Sequence, residues 1–110
     1  MIVHENTWRW GKSDTLVLAE GRAFCTVSIE KDEPSVAFLS HVSVYEPYRR
    51  QGLGNMLLRA AEEYARKRGA REICLWADPD EWPIEWYKRR GYVIYRNRKK
   101  GYVALKKSLK

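Results

Sequence analysis

Cysteine is scarce in this chain. Cys25 and Cys74 are the only two, and each lies inside an apolar run, FCTV and ICLW. That placement favours buried free thiols over a disulfide. With His4 and His41 they form no zinc-ligand spacing, so no metal site is expected. Long apolar runs are also missing. Nothing approaches the roughly 20 residues that a membrane-spanning helix needs. The opening MIVHENTWRW lacks the apolar core of a signal peptide. The expectation is a cytoplasmic protein without a membrane partner. No internal repeat and no low-complexity linker interrupts the chain. Acidic residues are few: 14 against 21 lysines and arginines, a formal charge of +7. Such an excess favours polyanions or a phosphorylated cofactor. Its clusters, at residues 66–68, 88–90 and 96–100, equally suit solvated helix ends and turns.

With 110 residues and 45% apolar content, the chain fits one compact domain over residues 1–110. Ile2 to Trp10 and Thr15 to Ala19 read as hairpin strands around the turn GKSD. Ala23 to Ile29 alternates as AFCTVSI and reads as a strand, as does Val36 to Val44, so the first 44 residues form an antiparallel meander. Leu53 to Arg68 reads as a helix with Leu53, Met56, Leu57, Ala60, Ala61, Tyr64 and Ala65 on its apolar face and Gly69 as its stop. Glu72 to Ala77 is a short apolar strand. The strand–helix–strand unit fits a right-handed crossover between parallel strands. A second helix is expected over Trp82 to Arg90, ending at Gly91. Tyr92–Tyr95 and Tyr102–Leu105 form a terminal hairpin around RNRKKG.

The most informative stretch is VSVYEPYRRQGLGNMLL, from Val42 to Leu58. An alternating apolar strand runs into a polar loop with Arg49, Arg50, Gly52 and Gly54, and the helix follows at once. Unpaired backbone N–H groups and the positive end of the helix dipole then converge on one spot, an anion cradle. The arginines can pair with phosphate oxygens. The turn is not a nucleotide-hydrolysing P-loop, because no Gly-Lys-Ser/Thr closes it. Nor is it a dinucleotide fingerprint, being one glycine short.

The run RRQGLG resembles the Arg/Gln-x-x-Gly-x-Gly/Ala signature of the GNAT acyltransferase superfamily. WYKRRGY, 33 residues downstream counted from Gly54 to Tyr87, resembles that family's aromatic-Tyr-x-x-x-Gly-aromatic segment. The preceding LVLAEGRAFCTVSI resembles its hairpin before the loop strand, so the likeness covers about residues 15 to 108. It implies an α+β fold of three-layer α/β type. The central sheet is mixed and mostly antiparallel, with six to seven strands and two main helices.

The resemblance further implies an N-acetyltransferase using acetyl-CoA and an amine-bearing acceptor, a small molecule or a protein, by direct attack on the thioester. Arg49, Arg50, Gln51, Gly52, Leu53, Gly54 and Asn55 would wrap the pyrophosphate. Val42 and Val44 would bind the pantetheine arm by backbone. A backbone N–H near the end of that strand would steady the oxyanion. Tyr87 would be the general acid toward the leaving thiolate. Asp80 and Pro83 stand where the family often has asparagine and alanine, which suggests a later helix start. The general base is not identified; His41, Glu30, Glu46 and Asp78 are the candidates beside a water relay.

The family's helices between the first two strands, which build much of the acceptor pocket, are missing. The acceptor side is therefore expected to be open, or completed by a second subunit in a homodimer. Trp8, Trp10, Trp76, Trp82 and Trp86 are candidates to line it, though Trp76 reads more simply as core. Two other functions are compatible with these features: a non-catalytic CoA-binding or regulatory module, and a basic nucleic-acid-binding domain resting on charge alone.

Overall fold

The computed structural model describes residues 2–8, 11–18, 23–44, 52–77, 84–97 and 102–109. In chain order these form β1 (Ile2–Trp8), β2 (Gly11–Leu18), β3 (Ala23–Glu30), β4 (Val36–Val44), α1 (Leu53–Lys67), β5 (Glu72–Ala77), α2 (Ile84–Lys88), β6 (Val93–Asn97) and β7 (Val103–Ser108). The seven described strands make one sheet in the order β1-β2-β3-β4-β5-β7-β6. Only β4 and β5 pair in parallel among them; the other neighbours are antiparallel. α1 is the crossover that a parallel pair requires. The mixed, mostly antiparallel sheet with two helices is the expected α+β architecture, and β1 runs to β2 without a helix.

One face of the sheet is apolar by strict alternation. Ala23, Cys25 and Val27 of β3 point to it, with Ala37 and Leu39 of β4, Ile73, Leu75 and Ala77 of β5, and Val103 and Leu105 of β7. Leu53, Leu57, Leu58, Ala61 and Ala65 of α1 close over this face, and Tyr87 and Tyr92 complete the same cluster. Leu57 is fully buried; truncating such a leucine to alanine typically costs about 2–5 kcal/mol. Both cysteines are buried and free. No helix among the described residues is long and apolar enough to cross a membrane.

Three expectations need correction. GKSD is not a turn. β2 already begins at Gly11, which pairs with Trp8 of β1 and with Glu30 of β3, so only residues 9 and 10 connect the hairpin. A ladder on both sides of β2 outweighs the turn preference of its glycine, serine and aspartate. Met56 is 54% exposed, and Ala60 is only half-buried. The inner face of α1 is rotated toward Leu58 and Glu62, because Tyr92 and β7 cover that side. Trp76 is 38% exposed, since β5 turns Ile73, Leu75 and Ala77 to the core and Trp76 to the other side. Trp86, by contrast, is half-buried against the core. Trp10 and Trp82, and the side chain of Trp8, lie outside the described residues.

Gly11 has a packing role instead. A Cβ built there would lie 2.4 Å from the Ile29 carbonyl oxygen and 2.9 Å from Glu30 Cα. Both obstacles are backbone, which cannot rotate away. Gly11→Ala is therefore expected to destabilise the fold by about 1–3 kcal/mol, read as a lower urea midpoint. An unchanged midpoint would contradict this close approach.

Candidate active site

β4 must serve two partners. Along β3 its register runs from Ile29↔Ala37 to Thr26↔Ser40, then resumes at Phe24↔Ser43. His41 and Val42 thus stand together opposite Cys25, a β-bulge. Toward β5 the ladder covers only Val36↔Glu72 to Leu39↔Leu75 and stops one residue short of Ser40. A bulge bends its strand and sharpens the local twist. Beyond Leu39 the two parallel strands have no shared ladder, while β5 stays paired with β7 as far as Ala77↔Val103. Backbone N–H and C=O groups facing this gap are available to an extended ligand that adds itself as a strand.

The gap opens beside the start of α1. Gly52 caps that helix with φ 78° and ψ 4°, and no side chain caps it. This left-handed conformation is what glycine permits and other residues resist. The first intrahelical bond runs from Met56 N–H to Gly52 O at 3.1 Å. The amides of Leu53, Gly54 and Asn55 are left without an intrahelical acceptor. The first turn has no acidic residue, so nothing on the helix neutralises its positive end. A Cβ on Gly52 would meet no atom within 4 Å. Gly52 therefore faces open space among the described residues.

α2 presents Tyr87 to the same region. The helix ends in a Schellman turn: Gly91 N–H donates to Lys88 O at 3.1 Å and Tyr92 N–H to Tyr87 O at 3.1 Å. Gly91 takes φ 95° to make that turn. It folds Tyr92 back so that the two tyrosine rings meet edge to face at 5.7 Å, with Trp86 on Tyr87 at 5.1 Å. The Tyr92 hydroxyl then donates to Glu62 Oε2 at 2.9 Å, and Lys107 Nζ donates to Glu62 Oε1 at 3.0 Å. Arg90 adds a second tie to α1, with Nε donating to Asn55 Oδ1 at 3.1 Å. Tyr87 is 4% exposed. Burial pushes its hydroxyl up to about 12, with the nearby Cys25 thiol adding to the shift. Cys25 is the residue opposite the β4 bulge, so Tyr87 lies near the bulged end of β4. It stays protonated at neutral pH.

Leu53 and Tyr87 share the core cluster against which Val42 packs, Arg90 ties Asn55 to the end of α2, and Gly52 and Gly54 flank Leu53 in the chain. Val42 packs its side chain against the core, leaving its backbone at the gap. Val44 closes the β3 ladder opposite Ala23. The Asn55 side chain is held by Arg90. Arg49, Arg50 and Gln51 lie outside the described residues, as do Glu46, Asp78, Asp80 and Pro83. The His41 backbone forms the bulge, and its side chain is outside the described set. Glu30 is exposed five residues along β3 from the bulge, about 17 Å away at strand rise, so it is not brought to the site. No metal-binding group of three His, Cys, Asp or Glu occurs among the described residues. Sequence reasoning missed Glu62 and Tyr92, which position Tyr87. The one signal was a glutamate at the helix-face spacing of Leu58.

Residues 5–92 match the family model described as "Acetyltransferase (GNAT) family". An uncharacterized N-acetyltransferase of Methanocaldococcus jannaschii is 41% identical over 66 residues, 59% of this chain and 28% of that protein. N-alpha-acetyltransferase 30 of Schizosaccharomyces pombe is 26% identical over 77 residues, 69% of this chain and 51% of that protein. The chain therefore spans about a quarter and about half of these relatives. An aminoglycoside 6'-N-acetyltransferase solved in complex with coenzyme A superposes with TM-score 0.71 at 18% identity, covering 93% of this chain and 74% of that one. That last likeness is one of fold.

The buried acids set an alkaline limit. Burial pushes the Cys25 thiol from 9.0 up to about 12 and the Tyr87 hydroxyl from 10.0 up to about 12. Between those values the unfolded chain releases protons that the folded state retains. Stability is then complete below about pH 9 and falls as pH rises toward 12. Urea midpoints are expected to drop between pH 8 and 11, and less so in Cys25→Ala. A flat profile would rule this linkage out.

Proposed function

The chain belongs to the acetyltransferase (GNAT) family, and on that premise we propose that it transfers an acetyl group from acetyl-CoA to an amine-bearing acceptor. The observation that carries this reading is the gap between β4 and β5 opening onto the uncapped start of α1. A slot for an extended amide chain there meets a cradle for its pyrophosphate. The residues fit the cofactor: the first turn is free of acids, and the space above Gly52 is open.

Acetyl-CoA supplies a thioester whose carbonyl carbon an amine attacks directly. The amides of Gly52 to Asn55 would hold the pyrophosphate, and Arg49, Arg50 and Gln51, next in the chain, would supply charge and donors to it. Backbone groups of Val42 and Val44 hold the pantetheine arm as an added strand. A backbone N–H at the bulged end of β4 steadies the negative charge that develops on the carbonyl oxygen. Tyr87, protonated at neutral pH, would hold the proton that the leaving thiolate needs. The direct β1–β2 connection leaves the acceptor side broad, which supports a protein or another large amine as readily as a small one. Two unpaired cysteines support a reducing, cytoplasmic setting.

Tyr87→Phe removes the proton donor and keeps the ring contacts. Turnover is expected to fall by about 10²- to 10⁴-fold while CoA affinity holds, measured by thiol release against a panel of amines. Unchanged turnover takes the role away from Tyr87. Gly52→Val strains the left-handed loop and fills the cradle. The thermal stabilisation that CoA gives the wild type should disappear in this variant; persistence would remove the cradle from the binding site.

A further inference from the structure

Beside the cradle, between α1, the end of α2 and β7, lies a cavity of about 280 Å³. Its wall carries Asn55, Arg59 and Glu62 from α1, Arg89 and Arg90 after α2, and Lys107 from β7. The charges are unequally committed. Lys107 and the Tyr92 hydroxyl are spent on Glu62, which is 8% exposed and offers no free carboxylate oxygen to repel an anion. Arg90 is fixed in place, stacked 3.8 Å over the Trp86 ring and bonded to Asn55 and to Trp86 O. The guanidinium groups of Arg59 and Arg89 make no hydrogen bond or ion pair with any described residue. Two uncommitted guanidinium groups and one oriented one therefore face a single cavity.

Guanidinium forks match the oxygens of a phosphate monoester, a dianion at neutral pH. The cavity also has a definite place along α1. It begins at Asn55, in the first turn, and runs to Glu62, seven residues or about 10 Å down the helix. A ligand whose pyrophosphate occupies the helix start has its next group beside this wall. We propose that the cavity receives the 3'-phosphate on the adenosine ribose of the acyl-CoA cofactor, so that this protein discriminates CoA from its dephosphorylated form. The inference rests on the acetyl-CoA reading above. The phosphate is held at a distance from the thioester, so Arg59 and Arg89 set cofactor affinity and leave the chemical step untouched.

CoA and 3'-dephospho-CoA differ by that one phosphate, so titration calorimetry with both tests the assignment. The wild type should bind CoA about 10- to 100-fold more tightly, the range for one or two charge-assisted hydrogen bonds. Arg59→Gln and Arg89→Gln should each reduce that ratio, and the double variant should bring it close to one. Both positions are exposed, where substitutions seldom disturb folding. Retained binding of dephospho-CoA shows in the same experiment that each variant is folded. The preference should also shrink as salt is raised. Equal affinity in the wild type, or a ratio that survives in the double variant, overturns the inference and leaves the cofactor reading standing. Failure of both ligands to bind the wild type overturns the cofactor reading and this inference with it.

Discussion

β4 is asked to satisfy two neighbours of opposite sense. It lies antiparallel to β3 along most of its length and parallel to β5 for only four residues. One surplus residue at His41–Val42 lets it keep the first partner while turning from the second. Had the β5 ladder continued, its hydrogen bonds would have closed the sheet and left no exposed backbone. The gap and the place of Cys25 opposite the surplus residue both follow from that turn. Ladder energy is given up here, and a binding edge is gained.

A second constraint holds the two helices together. Glu62 is a carboxylate in the core, and an unpaired charge there would cost several kcal/mol. It is accepted because two donors converge on it from different elements, Tyr92 after α2 and Lys107 on β7. Removing either leaves the carboxylate under-satisfied. The Glu62 network therefore fixes the angle at which α2 meets α1, and through the Tyr92 ring it fixes Tyr87. Arg90 bonding to Asn55 repeats the tie nearer the cradle.

Much of this was legible in the sequence, for physical reasons. β4 was readable to both ends, and α1 to within a residue, because apolar periodicity and glycine stops are local signals. The start of α1 at Gly52 was readable because strand, glycine loop and helix are consecutive in the sequence. The bulge was not, since it is a relation between β4 and β3 that alternation in either strand conceals. Gly11 misled because a glycine beside serine and aspartate suits a turn as well as it suits a backbone crossing. Glu62 went unnoticed because a glutamate on a helix is solvent-facing by default, and its partners lie 30 and 45 residues away. Arg89 read as part of a solvated helix-end cluster, and Arg59 carried no signal of its own, until the fold set them on one wall.

α2 has five residues, little more than one turn, and a helix that short does not hold itself together in water. Its conformation is borrowed from the Schellman turn, the aromatic stack and the Glu62 network. Amide exchange along α2 should accordingly report on docking, not on helicity. The tyrosine has no independent existence as an acid of raised pKa: detach the segment and its hydroxyl returns to an ordinary phenol in water. A partly opened molecule thus loses the raised Tyr87 pKa in the same event that loosens its core.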